Sequence, residues 1–158
     1  LIESRTAYCE TRFPYVPTLL SFREVLPAVL AIKKLQTDPD VFLVDGQGVA
    51  HPRRFGFASH LGLVADKPTI GVAKSLLCGD VGKFSNEGLA PITDANEVIG
   101  AAVVTFLGEK PVYVSVGHKV SLDRAVGVVR HFACGKRIPE HILEAHRIAN
   151  EEKKKLTF

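Results

Sequence analysis

The feature that most constrains the fold is an uninterrupted apolar run, residues 41–44 (VFLV), that ends at Asp45. Consecutive apolar residues between turn residues are typical of a strand buried on both faces, as in parallel sheets. A second run, residues 69–73, ends at Lys74 in the same way, and the residues between the runs include a helical pattern over 55–65. This order of strand, helix and strand predicts an α/β fold.

The rest of the chain gives weaker patterns. The opening residues 1–13 predict an incomplete or edge strand. Helical spacing begins at Thr18, which we expect to cap the helix, and Pro27 should kink or restart it before the stretch 28–35. The composition of residues 79–96, rich in Gly, Asn and Asp, predicts a surface loop. We expect a hairpin over 98–106 and 112–115, helices over 122–133 and 140–155, and one domain over 1–158.

Composition excludes several classes of protein. The 158 residues are 46% hydrophobic and 23% charged, as in ordinary globular domains and unlike disordered or collagen-like chains. No apolar run approaches the length of a membrane-spanning helix. Three widely separated cysteines fit neither a disulfide framework nor a zinc clip, which favours a reducing cytoplasm. The net charge of +3 is only a weak indication of a polyanionic partner.

Two carboxylates are candidates for metal binding. Asp45 ends a buried strand, where α/β proteins place ligands, and Gly46 and Gly48 let the backbone approach a ligand closely. Glu24 lies in the first helix, and two converging carboxylates would suit Mg²⁺. The alternatives are that Asp45 caps a turn and that Glu24 is solvated. Lys74 could hold a phosphate, although an exposed lysine at a sheet edge is commoner.

Other polar residues could contact phosphate or bases. His51 and Arg53 form a basic patch on the loop after Asp45, which could also be simply solvated. Ser115 and His118 end the second strand of the hairpin and could donate hydrogen bonds. His146 lies on a semi-apolar helix face, where a packing role is commoner. The sequence contains no phosphate-loop fingerprint and no nucleophile elbow, so Walker-type nucleotide hydrolysis and serine hydrolase chemistry are unsupported.

Four segments together resemble the endonuclease V family. They are FPYVPTLLSFRE (13–24), DGQGVAHPR (45–53), PTIGVAKS (68–75) and RIPE (137–140). The resemblance runs from about residue 12 to the C terminus. It implies a ribonuclease H-like mixed sheet flanked by helices, and a nuclease dependent on Mg²⁺, with Mn²⁺ as an alternative. Such an enzyme recognises deaminated bases, chiefly hypoxanthine in DNA or inosine in RNA, and cuts one linkage 3′ of the lesion.

The resemblance also implies roles for single residues. Glu24 and Asp45 match metal-site carboxylates, Lys74 and His146 match basic active-site residues, and His51 matches a residue near the metal and the scissile phosphate. Tyr15 matches the wedge that fills the gap left by a flipped nucleotide. Contacts with nucleic acid are expected from Tyr15, Pro17, His51, Arg53, Ser115 and His118. The walls of the base pocket are expected at Thr18, Leu20, Gly46 and Gly48.

Two departures from the family pattern affect these expectations. Thr18 stands where the Pro-Tyr-x-Pro pattern normally continues with glycine. The family also has a further N-terminal portion, with strands and another metal-ligand aspartate, and this sequence starts after it and without methionine. We therefore expect an incomplete metal site in a sheet that lacks its first strands. The alternatives are an inosine binder without cleavage, or a fragment whose sheet edge another chain completes, whereas the full-length family form is expected to be a monomer.

Overall fold

The computed structural model describes residues 1–155 of the chain. Within that range, six strands form one sheet and four α-helices flank it. The strands are β1 Phe42–Asp45, β2 Thr69–Ala73, β3 Asp80–Val81, β4 Leu89–Asp94, β5 Glu97–Val103 and β6 Val112–His118. The helices are α1 Ser21–Ile32, α2 Phe57–Ala65, α3 Leu122–Ala133 and α4 Glu140–Lys155.

The sheet is mixed, in the order β1-β2-β6-β5-β4-β3. Strands β1 and β2 run parallel, with Asp45 opposite Val72, and α2 connects them. The other neighbouring pairs are antiparallel. This arrangement confirms the α/β class and the mixed sheet predicted from the sequence. It also brings the carboxyl ends of β1 and β2 to one edge of the sheet, which is the usual position of a ligand site in α/β folds.

Helices cover the two faces of the sheet. On one face, Ile70 and Val72 of β2 pack with Val129 of α3 and Ile142 of α4. On the other face, Val44 of β1 packs with residues of α1 and α2. Successive side chains of a strand point to opposite faces of the sheet, so the position of a residue along its strand determines which helices it contacts.

Several predicted elements are confirmed by the structure. Strand β2 and helices α3 and α4 have the predicted bounds, and α2 begins two residues later than predicted. The hairpin is formed by β5 and β6. Helix α3 begins where the Ser121 hydroxyl accepts a hydrogen bond from the backbone of Arg124, as an N-cap does.

Other predictions were wrong. Residues 79–96, predicted to be a surface loop, contain β3 and β4. Strand β4 pairs with β5, and a tight turn in which Ala95 and Asn96 both have positive φ connects the two strands. Of the opening residues, none from 1 to 13 lies in a strand. Glu3 instead accepts hydrogen bonds from the backbone amides of Gln36 and Thr37, which holds this segment beside the end of α1.

The first helix also differs from expectation. Helix α1 starts at Ser21, and Leu20 is its N-cap without a side-chain bond, so Thr18 does not cap it. The helix continues through Pro27 without restarting and ends at Ile32. Across residues 1–155, no helix has both the length and the apolar character needed to cross a membrane.

Candidate active site

Asp45 and Lys74 meet at the edge of the sheet where β1 and β2 end. The Lys74 ammonium donates a hydrogen bond of 2.6 Å to Oδ2 of Asp45. Both side chains remain partly exposed, so a ligand can reach the pair. The contact follows from the parallel pairing of the strands, because this pairing places Asp45, the last residue of β1, near Lys74, the residue that follows β2.

His146 approaches the same carboxylate from α4. Its Nδ1 lies 3.8 Å from Oδ2 of Asp45, which is beyond direct hydrogen-bond length. Asp45 and Leu43 share a face of β1, since they are two residues apart, and Leu43 packs with the cluster that contains Ile142 of α4. The alternation of side chains along β1 therefore points Asp45 toward α4, the helix that carries His146.

Glu24 is coupled electrostatically to this group. It is half-buried on α1, and its pKa is raised, first because burial disfavours the charged form and second because of the negative charge of Asp45. Two carboxylates that repel each other are suited to a divalent cation, which prefers oxygen ligands and offsets the repulsion. Glu24 and Asp45 would be the protein ligands of such an ion. Residues 1–155 contain no cluster of three or more His, Cys, Asp or Glu that could hold a metal by itself.

The loop after Asp45 folds back over the sheet. The backbone amide of Gly48 donates to the Ser115 hydroxyl at 2.9 Å, and the next amide, of Val49, donates to the Val116 carbonyl at 2.8 Å. A Cβ at Gly48 would lie 2.0 Å from that carbonyl oxygen, so only glycine fits here. Gly48 therefore packs against β6, although we expected it in the wall of a base pocket. Gly46 is half-exposed, and a Cβ there would meet only ordinary contacts.

His51 lies inside the fold. It is 5% exposed, and its Nδ1 accepts a hydrogen bond from the backbone of Arg53 at 3.2 Å. The imidazole also hydrogen-bonds to the backbone of Thr18, and burial lowers the pKa of His51. The ring thus links the loop after Asp45 to the segment before α1. This is a different role from the phosphate contact expected from the sequence, which the exposed Arg53 can still provide.

The segment before α1 presents its side chains to solvent. Tyr15 is 70% exposed, Leu20 is 41% exposed, and Pro17 is exposed between them. Thr18 has a φ of +67°, in the left-handed region that β-branched residues rarely occupy. This backbone explains why glycine is expected at this position in the family, and it makes Thr18 a strained residue.

One predicted nucleic-acid contact does not fit the structure, and another lies away from Asp45. Ser115 is fully buried, and its hydroxyl is occupied by the amide of Gly48. His118 lies opposite Thr69, at the start of β2, whereas Lys74 follows the end of that strand. Thr69 and Lys74 are five residues apart on extended chain, which corresponds to a distance of roughly 16 Å along the strand. His118 faces Asp66 there, with 3.7 Å between Nε2 and Oδ1.

Gln47 lies between Gly46 and Gly48, and the resemblance placed it only as part of that loop, with no contact of its own predicted. Its side-chain amide is buried and donates a 3.0 Å hydrogen bond to the carbonyl of Ser75, the residue after Lys74. Gln47 therefore fastens the loop after β1 to the end of β2. The sequence feature that could have predicted this contact is a long polar side chain between two glycines, directly after the apolar run that forms β1.

The family assignment comes from comparison with known proteins. A family model described as Endonuclease V matches residues 1–147, which include every candidate residue from Tyr15 to His146. The chain belongs to the endonuclease V family. It is 57% identical over 141 residues to "Endonuclease V" of Thermofilum pendens, covering 89% of this chain and 60% of that relative. The chain thus spans about three fifths of the length of that curated relative.

Solved structures of the endonuclease V family have the same fold. The crystal structure from Streptomyces avermitilis matches with a TM-score of 0.89 at 42% identity, covering 94% of this chain and 66% of that one. The Ciona intestinalis protein matches with a TM-score of 0.77 at 36% identity, covering 94% of this chain and 71% of that one. It was solved with a 24mer DNA containing an inosine followed by a ribo-adenosine. These likenesses confirm the ribonuclease H-like mixed sheet.

Proposed function

We propose that this chain is a metal-dependent endonuclease that recognises deaminated bases in nucleic acid and cuts one linkage 3′ of the lesion, with residues 1–158 acting as one domain. The observation that carries the proposal is the group formed by Asp45, Glu24, Lys74 and His146 at the carboxyl edge of β1 and β2. Carboxylates and basic side chains that converge on one open edge suit phosphodiester cleavage, in which charge must be neutralised around a phosphate.

Recognition requires the modified base to leave the stack. A base inside a duplex hides the edge that distinguishes hypoxanthine, so the nucleotide must be flipped out, at a cost of a few kcal/mol. Tyr15 is a rigid ring on an exposed turn, and we propose that it stacks in the resulting gap. Thr18, Leu20 and Gly46 would border the flipped base. Exposed Arg53 would contact a neighbouring phosphate.

The residues around Asp45 would then act on the phosphodiester. A bound Mg²⁺ or Mn²⁺ would supply Lewis-acid charge neutralisation, held by Asp45 and Glu24 with waters or phosphate oxygens as further ligands. Lys74 would place its ammonium near the oxygens of the scissile phosphate, where negative charge develops. His146 would hold or release a proton at its imidazole on the α4 side of the site. The DNA complex of the Ciona relative supports nucleic acid as the substrate.

A second function is favoured by one observation. Because the described residues contain no three-ligand cluster, a cation would be held by fewer protein ligands than in a closed site. The same surface could therefore bind inosine-containing nucleic acid without cutting it. In that case Tyr15 and the loop after Asp45 would carry the function, and the carboxylates would add little to it.

Incision of an inosine-containing duplex in the presence of Mg²⁺ or Mn²⁺ tests both proposals, with DNA and RNA substrates run side by side. We expect Asp45→Asn to lower the incision rate by roughly 100-fold or more, while a gel shift still detects binding. The matched control is Asp38→Asn, which removes another ion-paired carboxylate, 2.6 Å from Lys67, on the exposed surface.

Each outcome of this experiment is decisive. Cutting by Asp45→Asn at the wild-type rate would contradict the assignment of the active site. Binding of inosine by a wild-type chain that does not cut with either metal would establish the second function instead. A wild-type chain that neither binds nor cuts inosine-containing nucleic acid would refute both.

A further inference from the structure

Arg137 makes an unusual set of contacts in the segment between α3 and α4. Its guanidinium donates hydrogen bonds to three backbone carbonyls: Lys74 at 2.7 Å, Lys110 at 2.9 Å and Pro111 at 3.2 Å. Its own carbonyl accepts a 2.5 Å hydrogen bond from the Thr105 hydroxyl. One side chain therefore joins the end of β2, the turn before β6 and the segment that leads into α4.

The chemistry of the side chain explains why arginine fits here. A guanidinium is planar and carries five N–H donors in fixed directions, so it can bond carbonyls on separate segments at the same time. A lysine ammonium has the same charge but is a single point of donation on a flexible stem. Replacing Arg137 with lysine would keep the charge and lose the simultaneous contacts.

The segment that Arg137 holds is the one that carries Lys74. Arg137 bonds the carbonyl of Lys74, and Gln47 bonds the carbonyl of the next residue, Ser75. The backbone on which the Lys74 side chain stands is thus fixed from two sides. The ammonium of Lys74 in turn reaches Asp45 at 2.6 Å.

Arg137 also precedes the first residue of α4, Glu140, by three positions. Helix α4 carries His146, whose imidazole lies 3.8 Å from the same oxygen of Asp45 that Lys74 contacts. Arg137 thus connects the two elements that bring basic side chains to Asp45, without itself bonding Asp45. The two groups are supplied by a strand end and a helix that are far apart in the sequence.

We propose that Arg137 is a positioning residue of the active site, which sets the places of Lys74 and His146 around Asp45. This inference rests on the proposed function, because the group around Asp45 is the site assigned there. Arg137 acts through the backbone of Lys74 and through the start of α4. Displacements of about 1 Å in a reacting group can lower a rate by about 100-fold, so small movements of these two elements should be costly.

Kinetics of Arg137→Lys test the proposal. We expect the single-turnover incision rate on inosine-containing DNA to fall roughly 10- to 100-fold, with affinity for the same DNA changed by less than about threefold. The matched control is Arg124→Lys on α3, which makes the same substitution at a surface arginine and should leave both quantities unchanged. Millimolar guanidinium should partly restore the rate of Arg137→Ala, because it can replace the lost donors.

Nuclear magnetic resonance gives a readout that does not depend on cutting. The ¹⁵N-labelled ammonium signal of Lys74, assigned with Lys74→Arg, should shift when Asp45 is changed to asparagine in the wild-type chain. In Arg137→Lys that shift should shrink or vanish, because the ammonium no longer reaches Asp45. The Arg124→Lys control should retain the full shift.

The outcomes separate this inference from the proposed function. If the wild-type chain does not cut but the Lys74 signal responds as expected, the proposed cleavage fails and the positioning by Arg137 stands. An unchanged Lys74 response in Arg137→Lys would overturn the inference whether or not the chain cuts. If the wild-type chain cuts, an incision rate that is unchanged in Arg137→Lys would also overturn the inference. A loss of rate that is matched by a loss of thermal stability, and that guanidinium does not restore in Arg137→Ala, would overturn it as well.

Discussion

Replacing Gly48 with alanine should destabilise the fold, whereas the same change at Gly46 should not. At Gly48 the added Cβ would lie 2.0 Å from the carbonyl oxygen of Val116 and 2.6 Å from its carbon. At Gly46 the nearest atoms belong to the Phe57 side chain, at 3.5 and 3.6 Å, which is ordinary van der Waals contact. The two glycines lie in one loop, two residues apart, so they form a matched pair.

The cost at Gly48 can be worked from the contacts that must move. The loop has to retreat by about 1 Å before the new Cβ reaches 3.0 Å from the Val116 oxygen. Overpacking of this kind costs about 1–3 kcal/mol. The retreat also stretches the hydrogen bonds from Gly48 to Ser115 and from Val49 to Val116, each worth about 0.5–1.5 kcal/mol. We therefore expect a loss of roughly 2–6 kcal/mol in the free energy of unfolding.

Thermal unfolding measures this difference. For a chain of this length, 1 kcal/mol shifts the melting temperature by about 2–4 °C, so Gly48→Ala should melt roughly 4–24 °C below the wild type. Gly46→Ala should stay within a few degrees. Equal melting temperatures for the two variants would refute the packing of this loop against β6. A stable Gly48→Ala that has lost only its affinity for inosine would instead place Gly48 in the base pocket.

Three further perturbations test the segment before α1 and a partly buried histidine, His60. Tyr15→Ala should reduce discrimination between inosine-containing and normal duplex by about 1–3 kcal/mol without changing the melting temperature, and equal discrimination in gel shifts would argue against a wedge. Thr18→Gly should raise the free energy of unfolding by up to about 1.5 kcal/mol, because it relieves left-handed strain of about 1–2 kcal/mol and adds a backbone-entropy cost of about 0.5–1 kcal/mol. Urea unfolding checks this, and a less stable variant would show that the side-chain contacts of Thr18 outweigh the strain. Burial lowers the pKa of His60 from its ordinary 6.5, so the unfolded chain takes up the proton first as the pH falls. The stability that neutral His60 contributes is therefore complete above pH 6.5 and is lost as the pH falls toward the lower folded-state pKa. His60→Gln should flatten this decline in urea unfolding at pH 7.5 and 5.5, and an unchanged pH dependence would contradict it.

Local sequence determined the elements whose signals lie within a few residues. Helix α3 has the predicted bounds because Ser121 caps its start and Gly135 follows its end, and Pro139 likewise marks the entry to α4. The apolar run before Asp45 was enough to predict a strand with an acid at its carboxyl end, although β1 lies at the end of the sheet and Val44 is its one buried residue. The four motifs were enough to predict the family, because long ordered matches depend on the sequence alone.

Tertiary structure decided the rest, because partners far apart in the sequence leave no local signal. The polar composition of residues 79–96 predicts a loop, yet β4 forms there because β5 supplies its hydrogen-bond partners and its Ala90 and Ile92 are buried. The buried roles of Ser115 and His51 depend on which loop folds over them. The clamp made by Arg137 joins carbonyls 26 to 63 residues away, and only the folded chain brings them within reach of one guanidinium.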